Sequence, residues 1–120
     1  MSRKYHVFIV SASEEECADI EAMLNPELLH AKAMTLAPNG PPIPAEKDAD
    51  VYIVCLPEHF QPLSSTAPYD RPVAGKLLLY VTSNPSNDTR LWCFKQGAGD
   101  VLVHPFSAAE LNFRVERLIA

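Results

Sequence analysis

Little in this sequence suits a membrane, a nucleic acid or an oxidising compartment. The longest uninterrupted apolar runs extend only a few residues, far short of the roughly twenty that a membrane-spanning helix needs. The opening MSRKYHVFIV turns polar at once with SASEEE and does not read as a signal peptide. Basic residues are scarce, 10 against 15 acidic ones, which leaves a net charge of −5. A nucleic-acid footprint would need a clustered basic face, so none is expected. The three cysteines, Cys17, Cys55 and Cys93, are widely spaced and odd in number. They form neither a disulfide framework nor a CxxC metal motif, and a reducing cytoplasm is the expected setting. No internal repeat is visible. What is present, 48% hydrophobic and 21% charged residues, is ordinary for a globular chain. At 120 residues it suits a single domain, 1–120, with one buried core.

Residues 5–10, YHVFIV, form a continuous apolar, β-branched and aromatic run, as expected of a strand covered on both faces. Ser13 then offers an N-cap with Glu16 three residues on, a capping-box pattern. Cys17, Ile20 and Leu24 make the apolar stripe of a helix that Pro26 ends. A weaker strand is expected over 31–37. VYIVCL at 51–56 and LLLYVT at 77–82 read as further buried strands, and VLV at 101–103 as a short one. One helix fits 86–96, stopped by Gly97. Ser107 and Glu110 start a last helix, with Leu111, Val115 and Leu118 on its inner side.

Uninterrupted apolar strands separated by helices indicate a parallel sheet with a layer on each face. Two stretches interrupt the alternation, APNGPPIPAEKDAD after the second strand and PEHFQPLSSTAPYDRPVAGK after the third. They hold Pro38, Pro41, Pro42, Pro44, Pro57, Pro62, Pro68 and Pro72. Each proline removes a donor and clashes with the preceding turn, so the two crossover helices there should be reduced or absent. Segments 38–50 and 57–75 should then be largely non-helical. The sheet face beneath would need Phe60, Leu63, Tyr69 or a neighbouring chain to shield it.

CFKQGAGDVLVHPFSAAEL, residues 93–111, closely resembles the response-regulator receiver pattern AxxxGADDYLxKPFxxxEL, without a gap. With that anchor, VFIV at 7–10, DVYIVCLP at 50–57 and LLLYVTS at 77–83 resemble the first, third and fourth strands of the family. The resemblance is thin over 38–50 and 57–76. It implies a flavodoxin-like three-layer α/β/α fold with a five-stranded parallel sheet in order 2-1-3-4-5 and a site at the carboxyl ends of the strands. It also implies a cis peptide bond before Pro105.

The same alignment removes the chemistry of a two-component phosphorylation switch. The family's acid pair after the first strand falls on Ser11 and Ala12, its phosphate-accepting aspartate on Cys55, and its lysine on His104. Only Thr82 retains the family's residue, and the aromatic often found on the fifth strand is Val101. Magnesium favours carboxylate oxygens, and these positions supply none. A neutral thiol without a fixed cation has nothing with which to hold a phosphoryl group. Asp48 and Asp50 precede the third strand and lie across the sheet from the crevice. Ser11, Ala12, Cys55, Thr82 and His104 are thus expected to form a degenerate pocket, with no catalysis, metal or cofactor.

Ser11, Cys55 and His104 are expected to converge on one crevice. A Cys–His nucleophile or a zinc site there would lack an orienting acid or further ligands. Glu14, Glu15 and Glu16 read as first-turn acids favoured by the helix dipole rather than as replacement ligands. His6, His30 and His59 read as ordinary strand or surface residues. Leu91, Trp92, Cys93 and Phe94 are consecutive on one helix and turn by about 100° each, too widely for one buried stripe. At least one large aromatic should therefore face outward, unless the proline-rich segment folds over it. The expected function is a phosphorylation-independent receiver-like signalling domain. It would act on a protein partner, as a homodimer or on an attached output domain, through a surface with Trp92, Phe94 and Val101. The alternative is a small-molecule or redox sensor using the altered crevice around Cys55 and His104.

Overall fold

Strands β1 (Tyr5–Ser11), β2 (Leu29–Thr35), β3 (Val51–Cys55), β4 (Leu77–Thr82) and β5 (Asp100–Val103) pair in parallel in the order β2-β1-β3-β4-β5. Among the described residues three helices accompany them: α1 (Glu14–Met23), α2 (Asn87–Lys95) and α3 (Ala108–Ile119). The structure, a computed structural model, describes residues 4–37, 41–62, 69, 76–84 and 86–120. The order and the parallel sense are those expected from the sequence. The second strand begins two residues earlier than its apolar pattern suggested, because Leu29 is the residue of β2 that reaches the core.

The two-residue period of a strand sorts the apolar runs into two cores. On one face Val7, Ile9, Val51, Ile53, Leu79, Val81 and Leu102 pack against Cys17, Ile20 and Leu24 of the α1 region and Leu111 and Val115 of α3. On the other, Phe8, Val10, Tyr52, Val54, Leu78 and Tyr80 meet Cys93 of α2 and residues of irregular backbone. All five residues of β3 are buried, which is why that segment reads as unbroken hydrophobicity instead of alternation. Each fully buried large aliphatic side chain contributes about 1.5–3 kcal/mol by leaving water. β2, at the sheet edge, retains only Leu29 as a fully buried residue.

Local signals start and stop the helices. Ser13, Ser86 and Ser107 sit extended at the three N-caps and accept from Glu16 N, Thr89 N and Glu110 N. α2 ends where Gly97 adopts φ +96°, letting Gly97 N reach Phe94 O and Ala98 N reach Cys93 O. Asn112 of α3 performs a tertiary capping role. Its Oδ1 accepts from Asn25 N and its Nδ2 donates to Met23 O, both at 2.8 Å, closing the end of α1.

The proline-rich stretches contain no helix among their described residues, 41–50 and 57–62. They nevertheless cover the second face. Ile43, Phe60 and Tyr69 are buried there; Leu63 lies outside the described residues. Irregular backbone leaves peptide groups without regular partners, and buried ones must find others. Two sheet tyrosines provide them: Tyr52 Oη accepts from Glu46 N at 2.5 Å and donates to Pro44 O at 3.2 Å, and Tyr80 Oη donates to Tyr69 O at 2.6 Å. No described helix is long and apolar enough to cross a membrane.

Candidate functional site

The carboxyl ends of β1 and β3 open on a cleft of about 510 Å3. Ser11, Ala12, Ser13, Glu16, Cys55, Leu56, Pro57, Glu58 and Ser83 line it. Three of the five sequence-predicted pocket residues, Ser11, Ala12 and Cys55, are thus on its wall. Thr82 is not: it is buried, and its hydroxyl accepts from Asn84 N at 3.0 Å within the turn after β4. Ser83 takes the place on the wall. His104 faces an adjoining groove of about 330 Å3 between α1 and the 104–106 loop. That loop contains the cis His104–Pro105 peptide that the resemblance implied.

The residue that joins these parts is Glu16, whose expected role was confined to the first turn of α1. Ser11 Oγ donates to Glu16 Oε1 at 2.6 Å, and His104 Nε2 lies 2.9 Å from Glu16 Oε2. A carboxylate oxygen accepts, so in this contact Nε2 is the donor. The sequence pattern predicts a reciprocal capping box, in which the Glu16 carboxylate returns to Ser13 N. Instead Ser13 N donates to Ser11 Oγ at 3.0 Å, and the carboxylate turns into the cleft. Only the forward half of the box forms, Glu16 N to Ser13 Oγ at 3.1 Å.

Cys55 ends β3 with 1% of its surface exposed. Burial pushes its thiol well above the ordinary 9.0, and the neighbouring Glu16 charge pushes it further. No hydrogen bond joins it to His104 among the described residues. A buried, protonated thiol facing a carboxylate is neither a nucleophile nor an accessible redox centre, and this weakens the sensor alternative. Cys17 and Cys93 are also free and buried. Burial raises both thiols, Cys93 to about 12.

Magnesium, the ion a receiver would hold, does not fit these donors. The carboxylates on the wall are Glu16, already committed to Ser11 and His104, and the exposed Glu58. Among the described residues no three His, Cys, Asp or Glu side chains are grouped to hold a metal ion. Asp50 lies at the opposite end of the sheet, as expected, where its Oδ2 accepts from His6 N. His6 and His30, expected as ordinary strand or surface residues, are register partners on β1 and β2 with rings 5.3 Å apart, edge to face.

The expected outer surface divides. Phe94 is 50% and Leu91 55% exposed. Trp92 instead tilts onto Phe60 and Tyr80, with ring centroids 4.6 and 5.3 Å away, so the proline-rich segment does fold over it. Val101 is 8% exposed and belongs to the second core. Trp92 is thus half-buried against that aromatic pair and Val101 is buried in the sheet, while Phe94 and Leu91 stay open to solvent.

No protein-family model matches the chain, and no curated protein matches it in sequence. Solved structures do match in fold. A response regulator from Thermotoga maritima superposes with a TM-score of 0.73 at 16% identity, covering 98% of each chain. An orphan response regulator of H. pylori gives 0.71 at 16%, covering both chains completely. The non-phosphorylated HemR receiver domain from Leptospira biflexa gives 0.71 at 17%, covering 98% of this chain and 95% of that one. With the strand order and the cleft at the carboxyl ends of the strands, they establish that the fold is that of response-regulator receiver domains.

Proposed function

We propose that residues 1–120 form a phosphorylation-independent, receiver-like signalling domain that acts in the cytoplasm by protein–protein contact. It has no catalytic step, cofactor, nucleic-acid partner or membrane partner of its own. The observation that carries this reading is the state of the cleft. Its acceptor position is a buried thiol, and its one inward carboxylate is bonded at both oxygens. A phosphoryl group would find no carboxylate to join and no metal ligands to offset its charge. The fold then has scaffold and surface left to act with.

We place the contact on the outer side of α2, where Phe94 and Leu91 stand exposed three residues apart; Phe113 of α3 is exposed as well. Contact with a second copy or with a partner protein, in dimerisation or in control of an output domain, is centred on Phe94. An aromatic anchor buried in an interface contributes about 2 kcal/mol, roughly thirtyfold in dissociation constant. Two experiments test the reading. Incubation with acetyl phosphate and magnesium should leave the intact mass unchanged. A phosphoryl adduct lost on mutating a cleft residue would refute phosphorylation independence. Sedimentation of Phe94→Glu should show weakened association with native circular dichroism. Unchanged assembly with native circular dichroism rules the surface out.

A further inference from the structure

We propose that the cleft is an oxyanion site whose permanent occupant is the chain's own Glu16 carboxylate, a tethered plug that excludes free anions and ties α1 to the loop between β5 and α3. The inference deepens the reading above and rests on it, since a cleft that accepted phosphate covalently would not be plugged.

Three features make Glu16 an occupant rather than a surface acid. Its carboxylate is released from the capping box because Ser11 Oγ takes over Ser13 N. Each of its oxygens meets one donor, Ser11 Oγ at 2.6 Å and His104 Nε2 at 2.9 Å. These donors come from different parts of the fold, the end of β1 and the residue after β5. Hydrogen bonds to an ionised acceptor are roughly twice as strong as neutral ones. The Glu16 and His104 side chains are only 25% and 35% exposed, so solvent screens the contact incompletely.

A tethered group also competes at a high effective concentration. A free oxyanion entering the cleft would have to displace Glu16 and then sit beside its unpaired charge, above the uncharged Cys55. The same bridge is mechanical. His104 N donates to Thr82 O at 2.9 Å, and its ring rests 4.7 Å from that of Phe106. Fixing the His104 ring therefore fixes the approach to α3. The plug holds the loop in one position without a switchable ligand.

Removing the carboxylate should therefore create binding that the native protein lacks. Inorganic phosphate is titrated into native protein, Glu16→Ala and Glu16→Gln while the amide resonances of Ala12, Ser13 and His104 are followed by NMR. The native protein should show no saturable shift and both variants should show one. Hydrogen exchange at the His104 amide should quicken by about tenfold in Glu16→Ala, the scale expected when one charge-assisted tie to a locally opening loop is lost. Glu16→Gln preserves shape, so native circular dichroism there excludes misfolding as the cause. A saturable response in the native protein would overturn the plug. Absence of a response in both variants would show that the cleft is no anion site, and would overturn the proposal whatever the exchange rates. Inorganic phosphate cannot form the acyl adduct, so this titration reads the plug separately from the mass measurement that tests phosphorylation.

Discussion

If the proline-rich segment replaces a crossover helix, its hold on the sheet should depend on the hydroxyl of Tyr52. Tyr52 is 1% exposed, and its ring packs edge to face with Phe8 at 5.4 Å. Tyr52→Phe leaves that packing in place and deletes one oxygen. With it go the bonds to Glu46 N and Pro44 O. Each such bond contributes about 1 kcal/mol net, so for the two together a loss of about 2 kcal/mol is expected. For a domain of this size that lowers Tm by about 8 °C. Thermal denaturation followed by circular dichroism gives the first number. The second readout is tryptic cleavage at Lys47, which lies in the same segment with its carbonyl accepting from Lys76 Nζ at 3.2 Å. Cleavage there should accelerate before global unfolding does. A Tm within about 2 °C of the native value, with unchanged cleavage at Lys47, would refute the idea that tyrosine hydroxyls pin the segment.

Other consequences are equally direct. The cysteines should resist alkylation in native buffer and react quickly in denaturant, because all three are buried; fast native labelling of Cys55 would revive the sensor reading. Cys93 is raised from 9.0 to about 12 by burial, so the folded state holds its proton more tightly. The associated stability is complete below pH 9.0 and is lost as pH rises toward 12, and base titration of Cys93→Ala should be flatter across that window. Asn112→Ala should cost about 1–2 kcal/mol, seen as a lower denaturation midpoint at constant slope, since both its bonds to the end of α1 disappear. Gly97→Ala should cost about 1 kcal/mol by the same measurement, because φ +96° strains a residue with a Cβ.

Much of the architecture was legible in the residues themselves. The apolar runs at 5–10, 51–56 and 77–82 became the three central strands with boundaries shifted by one residue at most. Ser13, Ser107 and Gly97 marked helix ends correctly. These signals are local: strand period, cap and breaker each depend on neighbours in the chain, so they survive in a sequence without a structure. Proline density likewise agrees with the absence of helix among the described residues 41–50 and 57–62, since a missing N–H acts wherever the residue stands. It was also plain from the sequence that Ser11, Ala12 and Cys55, which line the cleft, carry no carboxylate.

What only the tertiary structure decided were the partners. Glu16 and His104 are 88 positions apart, and nothing local distinguishes a capping-box glutamate from one that turns into a cleft. The choice depends on Ser11 taking over the capped amide. Trp92 and Phe94 are two residues apart on one helix, yet Trp92 is drawn inward by Phe60 and Tyr80 while Phe94 meets solvent. Tyr52 and Tyr80 read as strand residues, and their role as anchors for irregular backbone exists only where that backbone passes over them. The sequence by itself determined which segments could be strands and helices and which side chains their ends carry, because those follow from the residues present. Which polar groups satisfy one another was left to the fold, because a hydrogen bond needs two groups brought together and distant partners meet only once the sheet has formed.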